Sequence, residues 1–226
     1  MSPPVHAGAC CPVLELRRYA MRPDGFQPLL GLFERTFVRE QQAAGMHVLG
    51  VFRDEADPLR FAWVRGFPAM PERRAALAAF YEGPVWRALR DEANATMVDS
   101  SDVLLLRPIG GRGFARSLRA GRGAPDRVVA CLLFFRTAPD AAARDSWAAA
   151  VDAAGLDLLA LLETEPAENT YPRLPVRDGE HVLAAFATAA EGDVERVRAR
   201  LAALGAGLRD RLSKPPESLV LLPALS

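Results

Sequence analysis

Two short segments of the sequence place polar and aromatic side chains at every second position. The alternating residues are Glu15, Arg17 and Tyr19 in the first segment and Phe61, Trp63 and Arg65 in the second. Alternate residues of a β-strand share one face, so each segment presents its set to one side of a sheet. A carboxylate, two guanidinium groups, a phenol and an indole can orient an aromatic or anionic ligand through bidentate hydrogen bonds and ring stacking.

The loop from Asn169 to Arg177 is a further candidate, with the sequence NTYPRLPVR. Its two prolines stiffen the backbone and hold Tyr171, Arg173 and Arg177 at fixed positions. Such a loop either covers the mouth of a cavity as a lid or packs two parts of the chain together as a brace. The sequence leaves both interpretations open.

These residues are not accompanied by a recognisable catalytic or metal-binding motif. His6, His47 and His181 each lack a second ligand at short spacing, so a zinc site is not expected. The sequence contains no G-x-S-x-G element and no readable Ser-His-Asp or Cys-His arrangement. We therefore predict no metal and no cofactor, with haem held by one histidine as the alternative. Whether the protein is an enzyme stays open.

Hydrophobic periodicity and turn residues divide the chain into two similar halves. Residues 13–107 are predicted to follow the order β-α-β-β-α-β, and residues 127–226 repeat it. Each half is therefore a ferredoxin-like unit, an antiparallel sheet with its helices on one face. Residues 1–12 are predicted to be a disordered N-terminus, and the Gly- and Arg-rich residues 108–126 a flexible linker. A phosphate-cradling loop is the alternative for the linker, but its glycines do not follow a known pattern.

The free face of each sheet needs cover, and the sheet of the other half is the simplest cover. The result is an α+β barrel with the helices outside and a cavity for a small ligand inside. Because Leu14, Leu16, Ala62 and Val64 suit packing under helices, we expect the alternating polar set to face the barrel interior. The alternative is a buried arginine–glutamate network that only joins the two sheets.

Composition limits the partners of the protein. Its 28 basic and 28 acidic residues cancel, which argues against phosphate-mediated nucleic-acid binding and against polybasic contact with a membrane. Sheet edges favour a homodimer. Lys214 is the only lysine among many arginines and alanines, as in proteins encoded by GC-rich bacterial genomes.

The expected location is the cytoplasm. The sequence shows no apolar signal-peptide core and no apolar stretch of the ~20 residues that span a bilayer. Cys10, Cys11 and Cys131 lack framework and C-x-x-C spacing, so we expect reduced thiols, the first two at the surface.

Several segments, in this order along the chain, resemble the NIPSNAP family. They are Glu15-Leu16-Arg17-Arg18-Tyr19, the helix from Gly25 to Phe37, Leu49-Gly50-Val51-Phe52, Trp63, Arg73-Arg74, Gly83-Pro84-Val85-Trp86 and, as in bacterial members, Asn169 to Arg177. The resemblance covers residues 13–222 and implies the dimeric α+β barrel fold with both units fused in one chain. It implies no reaction. Cofactor-independent monooxygenases, isomerases and haem enzymes share that barrel, which is an analogy of fold alone.

The sequence thus predicts a NIPSNAP-like protein that binds a small apolar or aromatic ligand in the barrel cavity. The predicted ligand-binding residues are Glu15, Arg17, Tyr19, Trp63, Arg65, Asn169, Tyr171, Arg173 and Arg177. One alternative is a cofactor-independent monooxygenase or isomerase of the barrel type. The other is a non-catalytic scaffold or interaction protein whose barrel is filled.

Overall fold

The computed structural model describes residues 11–115, 118 and 125–225. The first half contains β1 (Val13–Met21), α1 (Phe26–Leu32), α2 (Val38–Ala43), β2 (His47–Asp54), β3 (Arg60–Phe67), α3 (Met70–Tyr81), α4 (Pro84–Ala95), β4 (Met97–Asp99) and β5 (Val103–Pro108). The second half contains β6 (Arg127–Phe135), α5 (Ala141–Ala153), β7 (Leu158–Thr164), β8 (His181–Ala189), α6 (Val194–Leu204) and β9 (Glu217–Pro223). The predicted order of elements is present in both halves, with β4 as a short addition.

Local sequence explains where the helices of the first half begin, join and end. Proline stands in the first turn of both α3 and α4, where its missing N–H costs no helical hydrogen bond. Gly45 follows α2 with a φ of +92°, a left-handed conformation that glycine adopts readily. A π-helical turn (Phe33–Phe37) connects α1 to α2, and such turns are frequent at functional sites.

Eight strands close into a barrel in which every neighbouring pair is antiparallel. Their order is β1-β3-β2-β9-β6-β8-β7-β5 and back to β1. Each half contributes four of these strands, and the halves join where β2 pairs with β9 and β5 pairs with β7. The predicted α+β barrel of two ferredoxin-like halves is confirmed.

The barrel interior is filled with apolar side chains from both halves. Leu14 and Leu16 of β1 and Ala62 and Val64 of β3 lie there, packed with strand residues of the second half such as Phe134. An eight-stranded barrel is just wide enough for its own side chains to fill it. The expectation that these aliphatic residues pack under the helices is therefore wrong.

The segment after β5 belongs to this core. Phe114 and Leu118 are 2% and 3% exposed and pack among the interior side chains, and the Leu118 N–H donates to the Leu49 carbonyl. At these two residues the prediction of a flexible linker is wrong, because large apolar groups stabilise the segment against the barrel. The linker residues Arg116, Arg119, Arg122, Gly121 and Gly123 lie outside the described residues.

The cysteines differ from expectation at one described position. Cys131 is free and buried in β6. Cys11 is 1% exposed, so the prediction of a surface position is wrong for it. The predicted disorder of residues 1–10 concerns a segment outside the described residues. In the described part of the chain, no helix is both long and apolar enough to cross a membrane.

Candidate functional site

The alternating polar set lies on the helix-facing side of the first-half sheet. β1 and β3 are neighbours, with Glu15 opposite Arg65 and Arg17 opposite Trp63, so the set shares one face as predicted. That face packs under α1–α4, where Trp63 joins Phe33 and other helix residues in one cluster. The prediction that the set faces the barrel interior is wrong. The interior is lined by apolar strand residues, whereas the helices supply polar partners.

Glu15 is the centre of a buried ion cluster. One of its oxygens accepts hydrogen bonds from Arg17 Nη1 and Arg65 Nε, both at 2.8 Å, and the other accepts one from Arg73 Nε at 2.7 Å. The Nη2 atoms of Arg65 and Arg73 also lie 2.7 Å from the carboxylate, close enough for ion pairing but not aligned for hydrogen bonds. All four side chains are at most 1% exposed.

Helices and the second half supply further partners to the arginines. Arg65 Nη1 donates to Gln41 Oε1 at 3.2 Å and to the Tyr81 hydroxyl at 3.3 Å. Arg73 Nη1 donates to Asn169 Oδ1 at 2.9 Å and to Thr170 Oγ1 at 3.3 Å. The cluster therefore ties β1 and β3 to α2, to α3 and to the loop of the other half.

The electrostatics of the cluster fix its protonation states. Burial alone would raise the pKa of Glu15, but Arg65, Arg17 and Arg73 together hold it far below its ordinary value, so the carboxylate stays ionised. Burial raises the pKa of Tyr19, although the charge of Arg17 opposes the shift. Tyr19 is thus a neutral phenol that accepts from Arg17 Nε at 2.7 Å and keeps a proton to donate.

A cavity of about 90 Å³ adjoins the cluster between the sheet and the helices; we call it the helix-side cavity. Its apolar lining is largely aromatic: Phe33, Phe37, Trp63, Phe80, Tyr81 and Trp86. Its polar lining comprises Arg17, Tyr19, Gln41, Asn94 and Ser100. The π-helical turn contributes two of the aromatic residues, and the extra residue of such a turn changes which side chains a helix presents.

Trp63 is packed tightly but lacks a hydrogen-bond partner. Its ring meets Phe33 edge-on at 4.9 Å and Tyr19 edge-on at 6.1 Å between centroids. The guanidinium groups of Arg65 and Arg17 lie 5.0 and 5.7 Å from its centroid, within range of cation–π attraction. Its Nε1 is buried, and no acceptor for it is found in the described part of the chain. An unpaired buried donor costs free energy, which a ligand can recover.

The loop from Asn169 to Arg177 acts as a brace and also borders the cavity. Asn169 reaches the ion cluster, and Tyr171 is 6% exposed and donates its hydroxyl to Glu82 at 3.2 Å. Leu174 lines the helix-side cavity. Tyr171, Arg173 and Leu174 also line an outer cleft of about 440 Å³, which shares Tyr81, Trp86 and Leu174 with the cavity.

Arg177 is not part of this site. It pairs with Asp102 at 3.3 Å and with Glu180, and its guanidinium lies 4.9 Å from the ring centroid of Phe134. Asp102 also binds Arg18, so Arg177 stabilises a junction between the halves. The structure brings eight of the nine predicted residues, all except Arg177, to the helix-side cavity, to the ion cluster that adjoins it or to the outer cleft. Tyr171 lines the outer cleft and also packs the loop against α3, whereas Arg177 contributes only to packing between the halves.

Sequence reasoning missed three residues that complete the cluster: Gln41, Arg73 and Tyr81. Arg73 had a detectable signal, since it stands three and four positions before Ala76 and Leu77 on the buried stripe of α3. An arginine on the apolar face of a helix needs a buried anion. Gln41 and Tyr81 stand at helix ends and gave no comparable signal.

Haem does not fit the helix-side cavity. Its lining contains no histidine, and about 90 Å³ is too small for a porphyrin. His47 is exposed at the start of β2, and His181 borders a separate groove between β5 and the second half. Among the described residues, no group of three or more His, Cys, Asp and Glu side chains is placed to hold a metal ion.

Several solved structures share this fold. A protein from Fusobacterium nucleatum proposed to be a monooxygenase is 9% identical, with a TM-score of 0.57 over 97% of this chain and 94% of its own. An anthrone oxidase-like protein is 13% identical, with a TM-score of 0.57 over 94% and 91%. A variant chlorite dismutase from Candidatus Nitrospira defluvii is 13% identical, with a TM-score of 0.55 over 95% and 92%. At these identities the likeness is one of fold.

The first half of the chain matches the model of a known family. No curated protein matches the chain. Residues 14–110 match the NIPSNAP family model, and this match runs from β1 to just beyond β5, so it includes Glu15, Arg17, Tyr19, Trp63, Arg65 and Arg73. The resemblance noted from the sequence is thereby confirmed over residues 14–110, which form one half of the fused α+β barrel.

Proposed function

We propose that the protein binds a small, compact ligand in the helix-side cavity rather than in the barrel. The observation that carries the proposal is the unpartnered Trp63 Nε1, buried in the wall of a cavity whose other donors include Arg17. Aromatic walls around a few convergent polar groups are typical of small-molecule sites. The apolar side chains that fill the barrel interior leave the outer side of the sheet as the place for a ligand.

Native mass spectrometry of the purified protein tests the proposal. We expect a mass excess that corresponds to a small molecule and disappears on denaturation. Ala93 is 1% exposed and lines the cavity, so Ala93→Leu should fill the space and abolish the excess mass. Ala148→Leu, at a buried position of α5 in the second half, is the matched control and should retain it. A folded wild-type protein without bound mass, whose stability falls equally in both variants, contradicts the proposal.

The second candidate function is that of a scaffold whose ion cluster is only a brace. It is supported by Glu15, which pairs with all three arginines, and by the bonds of Arg73 to Asn169 and Thr170 of the other half. In that case, the cavity is a packing defect, and filling it with Ala93→Leu should stabilise the fold without any loss of ligand. The monooxygenase or isomerase alternative rests on fold neighbours of 9–13% identity, and we assign no reaction from them.

Two further predictions, the cytoplasmic location and the homodimer, are kept as proposals. Cytoplasmic location is tested by cell fractionation. The eight barrel strands close into a ring, so the edges of these strands no longer support the homodimer. Light scattering distinguishes the 24.5 kDa chain from a dimer.

A further inference from the structure

We propose that the ligand of the helix-side cavity is a small organic carboxylate whose anionic group binds Arg17. The inference rests on the proposed function and adds the chemical class of the ligand. It follows from the charges around the cavity, from the donors that converge in its wall and from its size.

The charge balance at the cavity favours an anion. Arg17 lines the cavity, whereas the lining includes no aspartate or glutamate. The guanidinium groups of Arg17, Arg65 and Arg73 together face the single carboxylate of Glu15, which leaves two positive charges in excess. Buried charges without counter-ions are costly. A carboxylate in the cavity removes half of that excess.

Three donors in the wall have capacity to bind it. Arg17 uses Nε for Tyr19 and Nη1 for Glu15, and its Nη2 takes part in neither of these bonds. Tyr19 accepts from Arg17 and keeps its phenolic proton, and the Trp63 indole N–H is unpaired. The guanidinium lies 5.5 Å from the Tyr19 ring centroid and 5.7 Å from that of Trp63. Donors this close together can share the two oxygens of one carboxylate.

The rest of the cavity defines the body of the ligand. Aromatic rings form most of the remaining wall, and the volume of about 90 Å³ limits the ligand to a compact apolar group. The adjoining outer cleft carries Arg87, Arg90 and Arg173 against the single acid Glu82. Its positive charge favours the approach of anions.

Paired probes of equal shape test the charge. Isobutyrate is compared with isobutyramide, and benzoate with benzamide, by isothermal titration of the full-length protein. At least one carboxylate should bind tenfold or more tightly than its amide. Arg17→Met should remove that preference, because it removes the cation that binds the carboxylate. The variant should still fold, because Glu15 retains Arg65 and Arg73 as partners. Arg196→Met, at an exposed position of α6, is the matched control and should preserve it.

Indole proton NMR gives a second readout in the wild-type protein, independent of whether Arg17→Met folds. Adding the carboxylate should shift the Trp63 Nε1 proton downfield. The Trp147 indole, also buried and unpaired but in the second half, should not move.

The outcomes separate the two proposals. An amide that binds as tightly as its carboxylate overturns the anionic class and leaves the binding function standing. Failure of both carboxylates to bind at millimolar concentration, or a shift at Trp147 equal to that at Trp63, also overturns the anionic class of the ligand. Native mass spectrometry judges the binding function separately, since it detects any retained molecule whatever its charge.

Discussion

Glu15 holds an unusual position among the buried residues, because its single carboxylate pairs with three arginines. Its side chain is 0% exposed, and each arginine reaches it within 2.8 Å. The arginines are not equivalent in return. Arg65 and Arg73 each have further partners on helices or in the loop, whereas Arg17 is the one that lines the cavity. Removal of the anion and removal of one cation should therefore have different effects.

Glu15→Gln is expected to destabilise the fold strongly. It leaves three buried guanidinium groups without a counter-charge, and the loss of one partner from a buried ion pair costs about 3–5 kcal/mol. Arg17→Met should cost much less, because it lowers the excess positive charge and leaves Glu15 paired with Arg65 and Arg73. Urea unfolding of both variants measures the difference. Equal losses of the free energy of unfolding would contradict this account of the cluster.

Glu15 should also stay ionised in acid for as long as the protein is folded. Its folded-state pKa is lowered, so its contribution to stability is complete above the unfolded-state pKa of about 4.3. That contribution decreases as the pH falls below this value, since the unfolded chain then binds the proton first. Carbon-13 NMR of the glutamate carboxyl groups between pH 7 and pH 3 should show no titration of Glu15 before unfolding. A midpoint near 4 in the folded protein would be incompatible with the ion cluster.

Two connecting segments are structural elements in their own right. The segment after β5 places Phe114 and Leu118 in the barrel interior, and Phe114 meets Phe186 at 5.3 Å between ring centroids. The loop of the second half places Asn169 against Arg73 and Leu174 against the cavity. Both segments cross from one half to the other, so they couple the halves and help to enclose the candidate site.

Phe114→Ala is expected to destabilise the protein by about 3–5 kcal/mol, the usual cost of removing a buried phenylalanine ring. A flexible linker would show no such effect. Val98→Ala, at a site that is 66% exposed, is the control and should change stability little. Thermal or urea unfolding of the two variants measures the contrast. A loss at Phe114 as small as that at Val98 would restore the linker interpretation.

The closed ring makes the two halves depend on each other across the whole molecule. β2 pairs with β9, β5 pairs with β7, and the interior core takes side chains from all eight strands. Neither half can cover the inner face of its sheet alone. The ion cluster follows the same pattern, because Arg73 of the first half bonds to Asn169 and Thr170 of the second.

Residues 1–107 expressed alone should therefore not persist as a monomer. They would expose the apolar inner face with Leu14, Leu16 and Leu104, together with the edges of β2 and β5, and exposed edges promote pairing between chains. Light scattering should show dimers or larger species that expose less apolar surface. A stable monomer with the native melting temperature would show that the halves are independent domains.

The alternation of side-chain types along the chain predicts correctly which residues share a face. Alternation along β1 and β3 placed Glu15, Arg17 and Tyr19 together, and Trp63 with Arg65, because side chains of a strand alternate strictly. The repeated order of elements and the family match of residues 14–110 followed from local pattern as well. These features depend on neighbours in the chain, which the sequence displays directly.

The direction in which the shared face points, and the residues that contact it, depend on contacts between distant parts of the chain. Both faces of a barrel strand are buried, one by the opposite strands and one by helices, so alternation alone cannot distinguish inside from outside. The choice depended on partners distant in sequence: Arg73 and Gln41 on helices, and Asn169 from the other half. The same applies to Phe114, whose burial required a barrel assembled from both halves. The charged groups lie on the helix-facing side of the sheet, where hydrogen-bonding partners exist, and the apolar residues fill the closed barrel interior.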